Sequence, residues 1–445
     1  MEIKKDNQQE TAAPADPDSM SIRVRDTWLG QFYFNHLKKY RVVKLLAPWI
    51  WRKVYFLYQL AWIFWKALKC NLLPLSAHVA ISGKVVLSKA EIVHTPFPGV
   101  FPESGRKHLI QPHAEYEFPE IYIAEVRNAL VTGGTNLVMT EGSVICHDLY
   151  DFTHDYTSEE MNGRTFIWPH RQRIAWLMRT TSDLELERAA CFTDACAPNY
   201  AHWITEVLPR INLYCRAEES PEVPLIVNDS LHRNLMESLR IVVGDKRRIL
   251  AISTGASVKV EHLSITSVTG YVPFERRSNR LKNHSHGRFS PYALLSLRQC
   301  LQERLGAPSS PFIRRVFIKR NSGIRNIINA REIEELLVAR GFSVVEPESL
   351  THAQQVVLFS NADVVVGATG AAMANLIFCK PTAKIIIMIP IYRYTSYWYW
   401  QNIACAVDNR VNYVLGKTTR SAVTGIHSDF QINPSDLLNA IGETK

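Results

Sequence analysis

The 445-residue sequence has no C-x-x-C pair, no G-x-G-x-x-G loop and no apolar run of bilayer-spanning length. Each absence removes a class of protein. Without paired C-x-x-C motifs, the eight cysteines (70, 146, 191, 196, 215, 300, 379 and 405) form no redox or zinc framework. They read as buried free thiols in a reducing compartment. Without G-x-G-x-x-G in a first strand–helix unit, a dinucleotide-dependent oxidoreductase is a weak reading. Excess charge is also missing from most of the chain. The net charge is +9, and the segment 21 to 70 alone holds ten Lys or Arg against Asp26, so the remainder sums to zero. A basic groove for nucleic acid is not expected; an anionic surface met by one segment is.

That segment is strongly aromatic. PWIWRKVYFLYQLAWIFWKALK sets Trp49, Trp51, Tyr55, Phe56, Trp62 and Trp65 among Arg52, Lys53, Lys66 and Lys69. Its uncharged stretch, Val54 to Trp65, is too short for a regular spanning helix, which needs about 20 apolar residues. A helix lying in the headgroup layer, with its cations snorkelling, fits better. A helix pair packed on the protein body and a tilted or re-entrant helix are the alternatives. Residues 1–22 are polar and are expected to be a disordered tail without a secretory signal. The expected location is peripheral, on the cytoplasmic face of a membrane.

The rest divides by texture. From His78 to about Arg188, alternating apolar and polar residues broken at Gly133-Gly134 and Glu141-Gly142 predict successive hairpins. From about Asn199, helices near 200–216 and 231–243 flank a strand at Pro224–Val227. The polar stretch 275–291 marks a boundary. Beyond it, RRVFIKR, GFSVV, DVVVG and KIIIMIP are unbroken apolar strands separated by helical segments, the pattern of a parallel sheet covered on both faces. The expected organisation is a tail (1–22), membrane-proximal helices (23–75), an N-terminal domain (76–285) and a C-terminal domain (286–445). Ligands of such sheets sit beyond the carboxyl ends of the strands, here Lys319-Arg320, Glu346, Gly367 and Pro390.

Three motifs carry chemistry. In VVVGATGAAMANLIF (364–378), Gly367 and Gly370 allow close approach of a ligand or of backbone, and Thr369 is placed to cap the following helix. Spacing alone does not separate a ligand loop from a tight buried turn. In IKRNSGIRNIINAREIEE, Arg320 and Arg325 stand at a strand's carboxyl end, ahead of a helix with a predicted capping box, Asn329 with Glu332. Cations plus helix N–H groups suit a diphosphate. In NYAHWITEVLPR (199–210), Asn199, His202 and Glu206 share one helical face. A His with a Glu one turn on is a way to orient a general base; a hydrogen-bonded core His is the plain alternative.

Taken together these stretches resemble glycosyltransferase family 61, through NYAHWITEVLPR, KRNSGIRNIINAREI and GATGAAMANLIF, with Gln355 or Gln354 in the preceding helix. The resemblance implies an α/β fold of GT-B type, two Rossmann-like domains with the donor nucleotide on the C-terminal one and the acceptor on the N-terminal one. It implies inverting transfer from a nucleotide sugar, with no metal cofactor. The only D-x-D, Asp16-Pro-Asp18, lies in the polar tail, a poor place for a metal–diphosphate site.

On that resemblance His202 is the candidate base, with Glu206 orienting it or acting in its place, and Asn199 positions acceptor or loop. Arg320 and Arg325 bind diphosphate, and Gly367, Thr369, Gly370 and Asn375 form the donor loop. The expected partners are a nucleotide sugar, a glycan or glycolipid of the cell envelope, and a membrane surface met by residues 23–70. Two departures stand out: Thr369 where many members have His, and Met388 ahead of Pro390 where many have Glu. They motivate a second reading, a non-catalytic relative that binds glycan or an assembly partner. They also leave Glu346 as an alternative donor contact.

Overall fold

The structure, a computed structural model, describes residues 68–109, 114–150, 165–168, 171–178, 180–182, 184–218, 220–272, 287–306, 313–320, 325–392, 397–418 and 428–443. The expected tail and nearly all of the aromatic basic segment lie outside the described residues. Its last part is a correction. Leu68–Pro74 is a strand, not the end of a helix. Its alternate residues Cys70 and Leu72 are buried, and it is paired on both sides, with Ser143–Cys146 in parallel and Arg173–Trp176 antiparallel.

The larger sheet has eleven strands among the described residues. At one end Ile249–Ile252, Leu225–Asn228, Leu184–Cys191 and Ser257–Thr266 run parallel in that spatial order. The chain passes from Leu184–Cys191 to Leu225–Asn228 through a helix, while Ser257–Thr266 lies on the other side. The carboxyl ends of Leu184–Cys191 and Ser257–Thr266 therefore border a crevice where the winding changes direction, the usual ligand position in such sheets. Antiparallel pairing begins at Ile121–Thr132 and continues through Val138–Thr140 and Ser143–Cys146, the expected hairpins.

The second sheet has Ser343–Val345, Arg315–Ile318, Val364–Ala368, Lys384–Ile391 and Val411–Thr418 in parallel. Its central strands read VVVGA and KIIIMIPI because helices cover both faces, so neither set of alternate side chains meets water. Arg315–Ile318 and Val364–Ala368 are neighbours whose onward connections go opposite ways, which sets a second crevice at Lys319–Arg320 and Thr369–Gly370. The far edge of Val411–Thr418 is completed by Phe430–Gln431 and by Gly99–Phe101, a strand from the N-terminal part of the chain.

One apolar core runs between the sheets, from Phe192, Trp203 and Leu208 through Phe289 and Leu297 to Met373, Ile377 and Ile387. Leu68–Lys445 forms one compact unit. No helix among the described residues is long and apolar enough to cross a membrane.

Candidate functional site

The motif NYAHWITEVLPR forms the start of the helix after Leu184–Cys191. Asn199 is its N-cap, accepting from the Ala201 amide at 2.9 Å. The helix then widens into a π-turn over Trp203–Val207 before continuing as Leu208–Ala217. Pro209 accounts for the widening: it lacks an N–H and its ring crowds the carbonyl one turn earlier, and an extra residue in the turn relieves both. The Leu208 amide reaches back five residues to the Trp203 carbonyl. The Glu206 carbonyl is taken up by side chains, Arg210 Nε at 3.0 Å and Thr269 Oγ1 at 3.1 Å.

On this turn His202 Nδ1 and Glu206 Oε1 are 2.6 Å apart, and both residues are only 8% exposed. Burial raises the Glu206 carboxyl above its ordinary range, and the His202 imidazole opposes that shift. With Nδ1–H given to the carboxylate, Nε2 is the basic nitrogen of the ring. Beneath the pair, Asp194 and Arg210 form a buried ion pair at 3.0 Å. Asp194 also accepts from the Cys196 amide, and its backbone is locked to Asn228 in both directions. Gly270 is needed here: a Cβ would stand 2.6 Å from the Thr205 carbonyl oxygen and 3.1 Å from Glu206 Cγ.

The donor-side candidates gather at the second crevice. Arg320 Nη1 donates to the Thr369 carbonyl at 3.1 Å, and its guanidinium lies where a Cβ on Gly370 would collide with it. Gly367 lets Met373 close on the sheet, since a Cβ would stand 2.6 Å from Met373 Sδ. Arg325 has φ 60°, a conformation costly for a residue with a side chain, and its Nε is buried without a partner. Burial lowers both guanidinium pKa values, and for Arg320 the nearby Arg325 lowers it further. Two desolvated cations side by side make a strong anion site. Glu346 stands 3.8 Å from Lys319.

Three local expectations are corrected. Thr369 does not cap the next helix; its buried hydroxyl accepts from Trp400 Nε1 at 2.9 Å. That next element, Ala371–Phe378, is a 3-10 helix with no side-chain cap. Asn329 and Glu332 form no capping box either: the Asn329 amide donates to Glu332 and Ile432 and accepts from the Ile432 amide. The box occurs at Thr351 with Gln354, which leaves Gln355 as the buried glutamine that meets Asn375, at 2.8 Å.

Two bridges bring the distant motifs together. Tyr200 donates from its hydroxyl to Asn375 Oδ1 at 2.6 Å, while Asn375 Nδ2 serves Gln355 and the Ala372 carbonyl. Asn375 thus braces the turn with its whole amide. The same Tyr200 oxygen lies 3.2 Å from Nδ1 of His352, a fully buried histidine whose pKa is pushed down to about 4 by desolvation. The second bridge is aromatic. Tyr399 lies 6.4 Å from His202 and 4.5 Å from Trp400 between ring centroids, and Trp400 holds Thr369. Sequence reasoning missed Asp194, Arg210, Tyr200, His352 and Trp400. The LPR ending of NYAHWITEVLPR was the available signal for Arg210. Among the described residues no group of three or more His, Cys, Asp or Glu is placed to hold a metal ion.

An α/β fold with parallel sheets and a paired His–Glu at a strand's carboxyl end fits a glycosyltransferase, and a comparison with known families supports that class. Residues 200–386 match the family model described as Glycosyltransferase 61. The match spans His202, Glu206, Arg320, Arg325, Gly367, Thr369, Gly370 and Asn375, and it begins one residue after Asn199. No curated protein matches the chain.

Proposed function

We propose that the protein is an inverting, metal-independent glycosyltransferase that moves a sugar from a nucleotide-sugar donor to a cell-surface polysaccharide or glycolipid. The two sheets would act as a GT-B-like pair, with donor on the Arg320 side and acceptor on the His202 side. In the transfer the acceptor oxygen bonds the anomeric carbon as the bond from that carbon to the diphosphate oxygen breaks. The acceptor proton passes to the His202–Glu206 pair, and the nucleoside diphosphate leaves against Arg320 and Arg325. The observation that carries this reading is the second bridge. A buried His–Glu pair is linked through Tyr399, Trp400 and Thr369 to a pair of desolvated arginines.

The membrane surface would be met by the basic aromatic segment 23–70, on the cytoplasmic face. Titration calorimetry with a panel of sugar nucleotides tests the proposal: at least one binds, and Arg320→Ala weakens it. His202→Ala is expected to cut turnover by about a hundredfold or more while sparing donor affinity. Loss of donor binding with intact chemistry would refute the base assignment. The second reading, a non-catalytic glycan-binding relative, is favoured by one observation. Thr369 and Met388, at the two positions of departure, are buried and offer neither imidazole nor carboxylate. It predicts that no sugar nucleotide binds.

A further inference from the structure

Tyr200 stands two residues before His202, in the first turn of the same helix, and its hydroxyl crosses to the second sheet's side. There it gives its proton to Asn375 Oδ1 at 2.6 Å and lies 3.2 Å from His352 Nδ1. Burial of the hydroxyl raises the phenol's pKa, so the proton stays on the oxygen.

Counting protons fixes the direction of each bond. Gln355 Nε2 donates to the Pro347 carbonyl at 2.9 Å, so Gln355 Oε1 is the acceptor turned to Asn375. Asn375 Nδ2 spends its two N–H groups on that oxygen and on the Ala372 carbonyl, which leaves Oδ1 facing Tyr200. A phenol has one proton, and Asn375 takes it. Toward His352 the Tyr200 oxygen therefore accepts, and the imidazole carries its proton on Nδ1. Nε2 is correspondingly bare, buried with no partner among the described residues. Burial keeps this ring neutral, its pKa pushed down to about 4. The backbone amides of His352 and Ala353 are held in turn by the Glu237 carboxylate, at 2.8 and 3.2 Å.

Asn375 has no N–H left for a ligand, although it lies in the glycine-loop motif. What it governs is the loop's position. Its element, Ala371–Phe378, starts directly after Gly370, and the Thr369 carbonyl just ahead receives Arg320. A buried network with its polar groups paired is rigid, because any rotation strands one of them. We infer that Tyr200 is a positioning residue: its hydroxyl, supplied by the Nδ1–H of His352, registers the Arg320 loop against the His202–Glu206 pair. The effect on turnover rests on the transferase reading; the coupling of the two elements does not.

Tyr200→Phe keeps the ring and removes both bonds. Hydrogen exchange read by mass spectrometry on the full chain should quicken about tenfold or more in Ala371–Phe378 and in residues 352–356, with Arg315–Ile318 unchanged. The donors tried are uridine and guanosine diphosphate esters of glucose, N-acetylglucosamine, xylose and mannose, with turnover read as release of nucleoside diphosphate. In Tyr200→Phe, kcat should fall about tenfold or more while donor affinity by calorimetry holds within about threefold, since Arg320 and Arg325 remain. His352→Leu, which offers no donor, should lose kcat to a similar extent. His352→Asn, whose amide supplies an N–H, should recover most of that loss. A role in stability alone would lower the melting temperature without this split or this rescue.

Three kinetic results would overturn the inference: kcat in Tyr200→Phe within about twofold of the parent, donor affinity falling in proportion to kcat, or no rescue by His352→Asn. If Tyr200→Phe does not fold, the two His352 variants decide. If the parent binds none of these donors, the transferase reading fails. In that case, as when a donor binds without turnover, hydrogen exchange alone decides. Unchanged exchange in Ala371–Phe378 then refutes the coupling, and faster exchange upholds it.

Discussion

At the scale of single residues, the site is held by groups whose ionisation is tuned by burial. Glu206 has a carboxyl raised above its ordinary value of 4.5 because desolvation outweighs the help from His202. A carboxyl raised in the folded state favours folding below the unfolded value, and that advantage is lost as pH rises through the folded one. Glu206→Gln removes this loss. Chemical denaturation should find the Gln variant at least as stable as the parent at about pH 8, with the difference closing at about pH 4. Its turnover should fall by about a hundredfold or more. His352 behaves oppositely. Its value of about 4 against an ordinary 6.5 means stability is complete above 6.5 and lost as pH falls toward 4. The shift is worth roughly 3 kcal/mol. In His352→Asn, which keeps a donor for Tyr200, unfolding free energy should depend on pH less steeply across that window.

The elements differ in how far their residues announced them. The C-terminal strands were legible because burial on both faces writes unbroken runs such as VVV and III. Ser257–Thr266 went unread although buried Val258 and Val260 alternate with exposed Lys259 and Glu261, the period-two signal of a half-buried strand. The helix at 200–217 was legible, its π-turn was not. Only a single residue, Pro209, encodes the turn, and its effect falls on a carbonyl one turn away. This yields a prediction at the same scale. Pro209→Ala restores an N–H and lets the helix close to a regular turn, which would move Glu206 relative to His202. Melting temperature should hold or rise, while turnover drops tenfold or more. The failed capping box at Asn329 has a similar origin: its amide finds a better partner in the Ile432 backbone, a contact made across 103 residues.

For the whole molecule, the sequence motifs identified which residues matter but not how they reach one another. His202 and Thr369 are 167 positions apart, and no local pattern reports that Tyr399 and Trp400 would stand between them. The described unit begins at Leu68, and its first strand is an interior member of the larger sheet. A truncation that removes residues 1–67 should therefore leave a cooperative thermal transition. One that also removes 68–74 separates Ser143–Cys146 from Arg173–Trp176 and should abolish that transition.

The Gly99–Phe101 strand has one more consequence. It comes from the early part of the chain yet completes the edge of the last-formed sheet, beside residues 412–414. A ribosome must therefore finish nearly the whole protein before that strand has its neighbour. The C-terminal half made on its own would present a bare strand edge, a template for aggregation. Residues 68–272 and 287–445, produced as separate chains, should be recovered better together than apart.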